Sequence, residues 1–400
     1  METQESRVSS IFIVPLIVFF VGVLLFIALL HGQRDLTVFA ILILGVVTGA
    51  RLWSRYGFSG IQCYSAVDRD KVFPDERLSL TVTVENAKFL PVWLQMTLPV
   101  ASPLQPGSQE AAFEEESGLL WYQKARFEWD LVAQRRGVHR VGPPHIKAAD
   151  IFGFFPRERE EHESLHVIVY PRLVPLRPIC LPRRDLFGIP GSKSPVQDPV
   201  YILGTRDYQQ WRPARYIHWK ASARHNRLQE KVFEPSEQEK VLLAVEVSQF
   251  SKHNAEQGFE HTLEVVASLA VRLDQRGFAV GLVTNGALAG GGPTVVPIAR
   301  NPGQLPAILE ALARLRMEAR WDLIAVLRDA FKLPWGVSCV HFSYQEDEKT
   351  QHTEGYLQQR RVPTVRVVCR SVPVSGADKR TGRGRVYHLD EIRIGKAEGR

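Results

Sequence analysis

The fold class this sequence predicts is a doubly wound α/β domain in the second half of the chain, behind a β-sandwich-like segment and an N-terminal hairpin of two membrane spans. Three observations carry that expectation. Two long apolar runs, Ile11 to Leu30 and Leu36 to Trp53, open the chain. Residues 78–86 (LSLTVTVEN) alternate apolar and polar positions, the mark of a half-buried strand. From Lys240 onward the pattern changes to near-continuous apolar strands interleaved with helical stretches, as in a parallel sheet covered on both faces.

Taken in order, residues 1–58 read as the hairpin, with spans at about 11–30 and 36–53. The first run is uncharged, and its 20 residues rise about 30 Å as a helix, the thickness of a hydrocarbon core. HGQRD between the runs is a polar turn, and the absence of a small-residue cleavage site argues against a secretory signal. Arg7 before the first span and Arg51, Arg55, Arg69 and Lys71 after the second outweigh Arg34 in the turn. Positive-inside counting therefore puts both termini and the soluble part on the cytoplasmic side. Neither span carries an internal carboxylate or lysine, so the pair reads as an anchor and not as a transport path.

Residues 59–171 read as short strands divided by Gly and Pro, with PLQPGSQEAAFEEES (Pro103 to Ser117) as a surface loop and DIFGFF (Asp150 to Phe155) as a turn. Residues 172–203, rich in Pro and Gly, read as a linker. In residues 240–370, VLLAVEVS, FAVGLVTN, VSCVHFSY and VPTVRVVC are strands. Phe259 to Gly277, Pro306 to Arg316, Glu318 to Phe331 and about Thr353 to Gln359 are helices, while Gly286 to Gly292 is a hairpin-like loop. Residues 371–400 read as a mobile basic tail.

The formal charge of +7 is concentrated in that tail and in Gly204 to Glu234. The latter sets Arg206, Arg212, Arg215, Lys220, Arg224, Arg227 and Lys231 against Asp207, Glu230 and Glu234, with Tyr208, Trp211, Tyr216 and Trp219 interleaved. Apolar residues are too sparse there for a buried stripe. Four scattered cysteines form neither a disulfide framework nor a metal spacing and fit a reducing compartment. No phosphate-cradling glycine loop and no nucleophile elbow is present, and His218, His225 and His253 lack a paired nucleophile. Expected cofactors are therefore none, and no small-molecule substrate is identified.

The run from Arg206 to Arg224, RDYQQWRPARYIHWKASAR, resembles the signature of the domain-of-unknown-function 58 family, R-E-Y-x-x-G-D-x-x-R-x-I-x-W-K-x-x-A-R. Arg206, Asp207 (for Glu), Tyr208, Arg215, Ile217, Trp219, Lys220, Ala223 and Arg224 match it, whereas Trp211 and Arg212 replace Gly and Asp. RRGVHRVGP and DIFGFF before VYPRL fit the same layout. The resemblance implies a C-terminal domain like the von Willebrand factor type A fold. It also implies a non-enzymatic protein of the bacterial inner membrane that works beside a MoxR-type AAA+ ATPase in assembly or envelope maintenance. Metal-binding type A domains carry Asp-x-Ser-x-Ser after the first strand; here that position holds Glu246, Ser248 and Phe250, a degenerate site at which no metal is expected.

The leading expectation is thus a membrane-anchored interaction protein with 204–239 as its signature segment. Ile217, Trp219 and Ala223 are expected to pack inward as a collar while Arg and Lys heads reach outward. Two alternatives stand beside it: nucleic-acid binding by the basic aromatic run 204–234, and a divalent-metal site at Glu246 and Ser248.

Overall fold

The computed structural model describes residues 10–55, 60–104, 112–149, 156–179, 197–209, 213–235, 239–292, 294–330, 333–334, 336–370 and 386–394. Trp211, Arg212, Asp150 to Phe155, Cys180 and the basic run 371–385 lie outside them. Two units divide the chain, Met1–Arg172 and Leu173–Arg400.

In the first unit, helices α1 (Ser10–Leu30) and α2 (Arg34–Arg55) pack on one another across a short turn, where Gly32 takes a φ of 65°. Their described buried residues are Ala28, Ala40 and Ala50, small side chains that let two backbones approach; the large apolar side chains face outward. Arg34–Trp53 is long and apolar enough to cross a membrane, and Pro15–Leu30 is a shorter apolar stretch.

Among the described residues ten strands follow: β1 (Ile61–Val67), β2 (Lys71–Val72), β3 (Arg77–Asn86), β4 (Val92–Pro99), β5 (Ala112–Leu119), β6 (Lys124–Val132), β7 (Gly137–Val141), β8 (His145–Ala149), β9 (Arg157–Glu160) and β10 (Leu165–Val169). They form sheets of order β1-β3-β6, β5-β4-β8-β9 and β2-β10-β7 around one core. The period-two pattern decides what that core contains. Leu78, Leu80, Val82 and Val84 point inward from β3, and Leu94, Met96 and Leu98 from β4. One sequence expectation is overturned here: Ala112 to Ser117 is not loop but most of β5, paired along β4. As the outer strand of its sheet, β5 keeps Glu114, Glu115 and Glu116 in water, where charges also discourage pairing with another chain.

The second unit opens with β11 (Gln197–Asp207) and β12 (Gln229–Pro235), so strand pairing begins inside the stretch read as linker. Between these strands lies α3 (Trp219–His225). Next come β13 (Lys240–Val245), α4 (Ser248–Lys252), α5 (Glu256–Gln275), β14 (Ala279–Thr284), β15 (Gly286–Leu288), β16 (Val295–Ala299), α6 (Gln304–Arg314) and β17 (Leu315–Ala319). The unit ends with α7 (Leu323–Ala325), β18 (Val337–Ser343), α8 (Glu348–Gln359), β19 (Thr364–Val368), β20 (Val386–His388) and α9 (Leu389–Ile392). The six-stranded sheet runs β16-β14-β13-β18-β19-β20, parallel except for the antiparallel edge strand β16.

Two further expectations change. Glu318 to Phe331 is not one helix, because β17 pairs with β15 and only Leu323 to Ala330 coils, ending in a π turn. Residues 386–394 are no mobile tail: β20 extends the sheet, Leu389 and Ile392 are buried, and Arg393 Nη2 lies 2.7 Å from the Glu264 carboxylate on α5.

Burial raises the thiols of all three described cysteines, Cys339 to about 12 and Cys63 to about 11. Burial thus keeps Cys339 in the thiol form, and the thiolate is the reactive one. A brief iodoacetamide pulse on the full chain in detergent is therefore expected to leave Cys339 unmodified until denaturant is added. Labelling of the native chain at Cys339, read by peptide mass, would contradict this packing.

Candidate interaction site

The signature run is the connection of the β11–β12 hairpin, and cross-strand register explains its charges. Arg206 pairs with Glu230 and Asp207 with Gln229. Glu230 is fully buried, and the guanidinium of Arg206 donates from Nε to its Oε1. Such a carboxylate is tolerable only with a cation against it. Asp207 accepts from Gln229 Nε2, and Arg227 Nη1 stands 3.4 Å from its other oxygen. The Tyr208 amide donates to the carbonyl of Leu228 at 2.8 Å and closes the base of the loop.

Within the loop, Ile217 bridges to Glu230 and is buried, and the His218 amide donates to the carbonyl of Gln229 at 2.7 Å. Helix α3 starts there because the His218 ring accepts from the Ala221 amide at 3.1 Å. It stops at Asn226, which adopts the left-handed conformation with φ 53°. Its inner side is held by Ser222, whose hydroxyl accepts from the Gln229 amide at 2.8 Å and donates to the His218 carbonyl at 3.0 Å. His218 is therefore a helix cap. Arg215 lies 5.0 Å over the Tyr216 ring and donates to its hydroxyl.

The outer side of α3 reverses part of the collar expectation. Ile217 packs inward, but Trp219 is 70% exposed and Ala223 is exposed as well. Four-residue spacing puts Trp219 beside Ala223, and Lys220 beside Arg224, on one outward face. Among the described residues neither Lys220 nor Arg224 has an ion-pair partner, and Leu228, 48% exposed, adds a second apolar side chain to the segment's surface. The signature thus has two jobs. Arg206, Asp207, Tyr208 and Ile217 fasten the hairpin, while Trp219, Lys220, Ala223 and Arg224 are presented to solvent.

The second candidate, Glu246 and Ser248, lies at the carboxyl ends of the parallel strands, beside the β13–β18 junction where the strand order reverses and such sheets bind ligands. Here that junction is filled from within. Gln249, almost fully buried, donates to the Thr350 hydroxyl at 3.0 Å and accepts from the Gln345 amide at 2.8 Å. Ser248 Oγ is taken by Asn285 Nδ2 at 2.7 Å, and Phe250 is buried against Phe259 and Tyr344. The Glu246 carboxylate points into the interior, 3.5 Å from His341 Nε2. Nearby Glu354 contacts Arg366, and burial raises its carboxyl above the usual range despite that cation. Among the described residues no group of three or more His, Cys, Asp or Glu could hold a metal ion.

A model of the family described as protein of unknown function DUF58 matches residues 204–328. The DUF58 match therefore starts inside β11 and takes in the hairpin, α3 and the sheet domain as far as the π turn after α7. The uncharacterized protein YeaD of Bacillus subtilis is 23% identical over 242 residues, 59% of each chain, so this sequence spans well under two thirds of that relative. Among solved structures, a CARDB domain from Pyrococcus furiosus in complex with di-metal ions is 12% identical. It covers 28% of this chain and 96% of its own at a TM-score of 0.20. The human complex of zinc 2-glycoprotein with prolactin inducible protein is also 12% identical, covering 27% and 92% at a TM-score of 0.22. Likenesses this distant bear on neither fold nor activity.

The sequence marks the signature but not its division. Glu230 looked like one acid among many, and only strand register reveals it as the partner of Arg206. The inward or outward sense of Trp219 was equally hidden, because α3 is too short for a stripe to declare itself.

Proposed function

We propose that this chain is a non-catalytic, membrane-anchored adaptor that presents the outer face of α3 to a protein partner. The observation that carries the reading is Trp219, an exposed ring on the same helix as Lys220 and Arg224, which lack ion-pair partners among the described residues, and that helix is fixed from beneath by Ser222 and His218. Exposed aromatic and arginine side chains on a rigid support are the usual anchors of protein interfaces. The partner implied by the family resemblance is a MoxR-type AAA+ ATPase, and the compartment is the bacterial inner membrane with the soluble units on the cytoplasmic side. The outward apolar surface of α1 and α2 supports a two-span anchor. The order of the parallel sheet supports a von Willebrand factor type A-like reading of the C-terminal domain.

Nucleic acid fits this surface less well. Phosphate-driven binding grows with the number of phosphates that Lys and Arg neutralise. Of the described cations in the segment, Arg206 and Arg227 face carboxylates, Arg215 faces Tyr216 and Lys231 lies half-buried on β12, leaving Lys220 and Arg224 on the outer face.

A photoreactive residue placed at exposed position Ala223 in the full chain, activated in bacterial membranes, is expected to form an adduct with an AAA+ ATPase. Trp219→Ala is expected to weaken binding of the purified pair about 30-fold or more, the effect of removing a hot-spot ring worth some 2 kcal/mol. An adduct with nucleic acid instead, or none, would overturn the reading.

A further inference from the structure

The β-sandwich carries a concentration of exposed aromatic side chains that the adaptor reading leaves unused. Phe89 is 69% exposed, Leu120 53%, Trp121 54% and Tyr122 66%, with Trp93 48% exposed at the start of β4. Two connections bring them together: residues 87–91 between β3 and β4, and residues 120–123 between β5 and β6. The rings of Phe89 and Trp121 stack at 5.7 Å with an interplanar angle of 18°.

These tips are fixed in place. Asn86, fully buried, donates through one amide nitrogen to the carbonyls of Leu90 and Leu120, each at 2.9 Å. Its backbone amide donates to the Gln123 carbonyl at 2.9 Å, and the Tyr122 amide to the Lys88 carbonyl at 3.2 Å. A buried asparagine thus ties both connections into one platform whose outer side is aromatic. Soluble surfaces seldom keep that much contiguous apolar area without something to cover it.

Continuity with the end of α2 identifies the cover. The indole of Trp53, the last residue of the apolar span, donates to the Pro91 carbonyl at 2.8 Å, next to Phe89. The carbonyl of Gly60, just before β1, accepts from the Ala87 amide at 2.8 Å. The platform therefore sits where the span leaves the hydrocarbon, the level at which Trp and Tyr rings concentrate because one side is apolar and the other wet. We infer that the two connections bearing Phe89, Leu120, Trp121 and Tyr122 form a docking surface for the headgroup layer of the bilayer, seating the sandwich on the membrane from which α2 emerges.

This inference rests on the anchor reading, and one experiment separates the two. The full chain, with its four native cysteines replaced by alanine, takes a bimane label at Leu120→Cys or, independently, at Phe89→Cys. Leu42→Cys in α2 reports the span. Arg135→Cys reports the opposite end of the sandwich, just beyond Val132, which pairs with Arg77 at the far end of β3 from Asn86. Each protein is reconstituted into phosphatidylcholine vesicles with phosphatidylglycerol, carrying nitroxide on the headgroup or deep in the acyl chain. The expected result is loss of emission at positions 120 and 89 with headgroup nitroxide, at position 42 with deep nitroxide, and at position 135 with neither. Quenching at 42 but at neither 89 nor 120 would leave the anchor standing and overturn the platform, assigning those rings to a protein contact. No quenching at 42 would remove the anchor and the platform together.

Discussion

A chain ended at Arg370 is expected to lose most of the stability of its second unit, whereas one ended at Gly395 keeps it. The shorter form lacks β20 and α9, and with them Leu389 and Ile392, both almost fully buried. Removing large aliphatic side chains from a packed interior costs about 2 to 5 kcal/mol each. Two together approach the roughly 5 to 15 kcal/mol that holds a typical domain folded.

Polar ties go as well. The Arg177 amide donates to the Ile392 carbonyl at 2.9 Å and the Ile394 amide to the Pro175 carbonyl at 3.1 Å, so the last residues pin the chain's entry into the unit. Arg393 is lost from Glu264. Urea unfolding followed by tryptophan emission reads the difference; equal midpoints for the two truncations would return residues 386–394 to the status of a tail.

Arg206→Ala is expected to open the β11–β12 hairpin at a cost of about 3 to 5 kcal/mol, because it takes the Arg206 cation away from the buried carboxylate of Glu230. Replacing both partners with apolar residues, Arg206→Met with Glu230→Leu, is expected to recover most of that loss, since the buried carboxylate is then gone as well. Trp219→Ala makes the contrast. With 70% of the residue exposed, its loss is expected to shift stability by no more than about 0.5 kcal/mol, far below the cost of a buried ring. Hydrogen exchange of the hairpin amides separates the three variants. Fast exchange in Trp219→Ala, or unchanged exchange in Arg206→Ala, would reverse the roles given to these residues.

The sequence made the core strands legible wherever one period dominated. Leu78 to Asn86 alternates as a half-buried strand does, and the short valine-rich run from Val241 has the length and composition of a covered one. It misled where a second interaction outvoted the local pattern. Glu114 to Glu116 looks like solvated loop because β5 is bound along one side only. Leu315 to Ala319 looks helical until β15 is placed beside it. Val386 to Ile394 looks like tail because the short strand takes its meaning from β19, on the far side of a basic run.

The candidate site divides in the same way. Arg206 to Arg224 stood out by composition, but the functions of its members depend on register and on which side of a seven-residue helix faces water. The degenerate loop at Glu246 and Ser248 stands out in the sequence only through the family resemblance. That Gln249 fills the strand junction was not, because its partners Gln345 and Thr350 lie far along the chain.

The central claim is that the outer face of α3 is a contact surface and its base a support. It is tested most directly by titrating a purified AAA+ ATPase of the MoxR type against the full chain and against Trp219→Ala, both reconstituted in the same vesicles. The account predicts saturable binding by the full chain and a loss of about 30-fold or more in the variant, with hairpin exchange unchanged. Equal binding by the two proteins, or weakened binding accompanied by an opened hairpin, would contradict it.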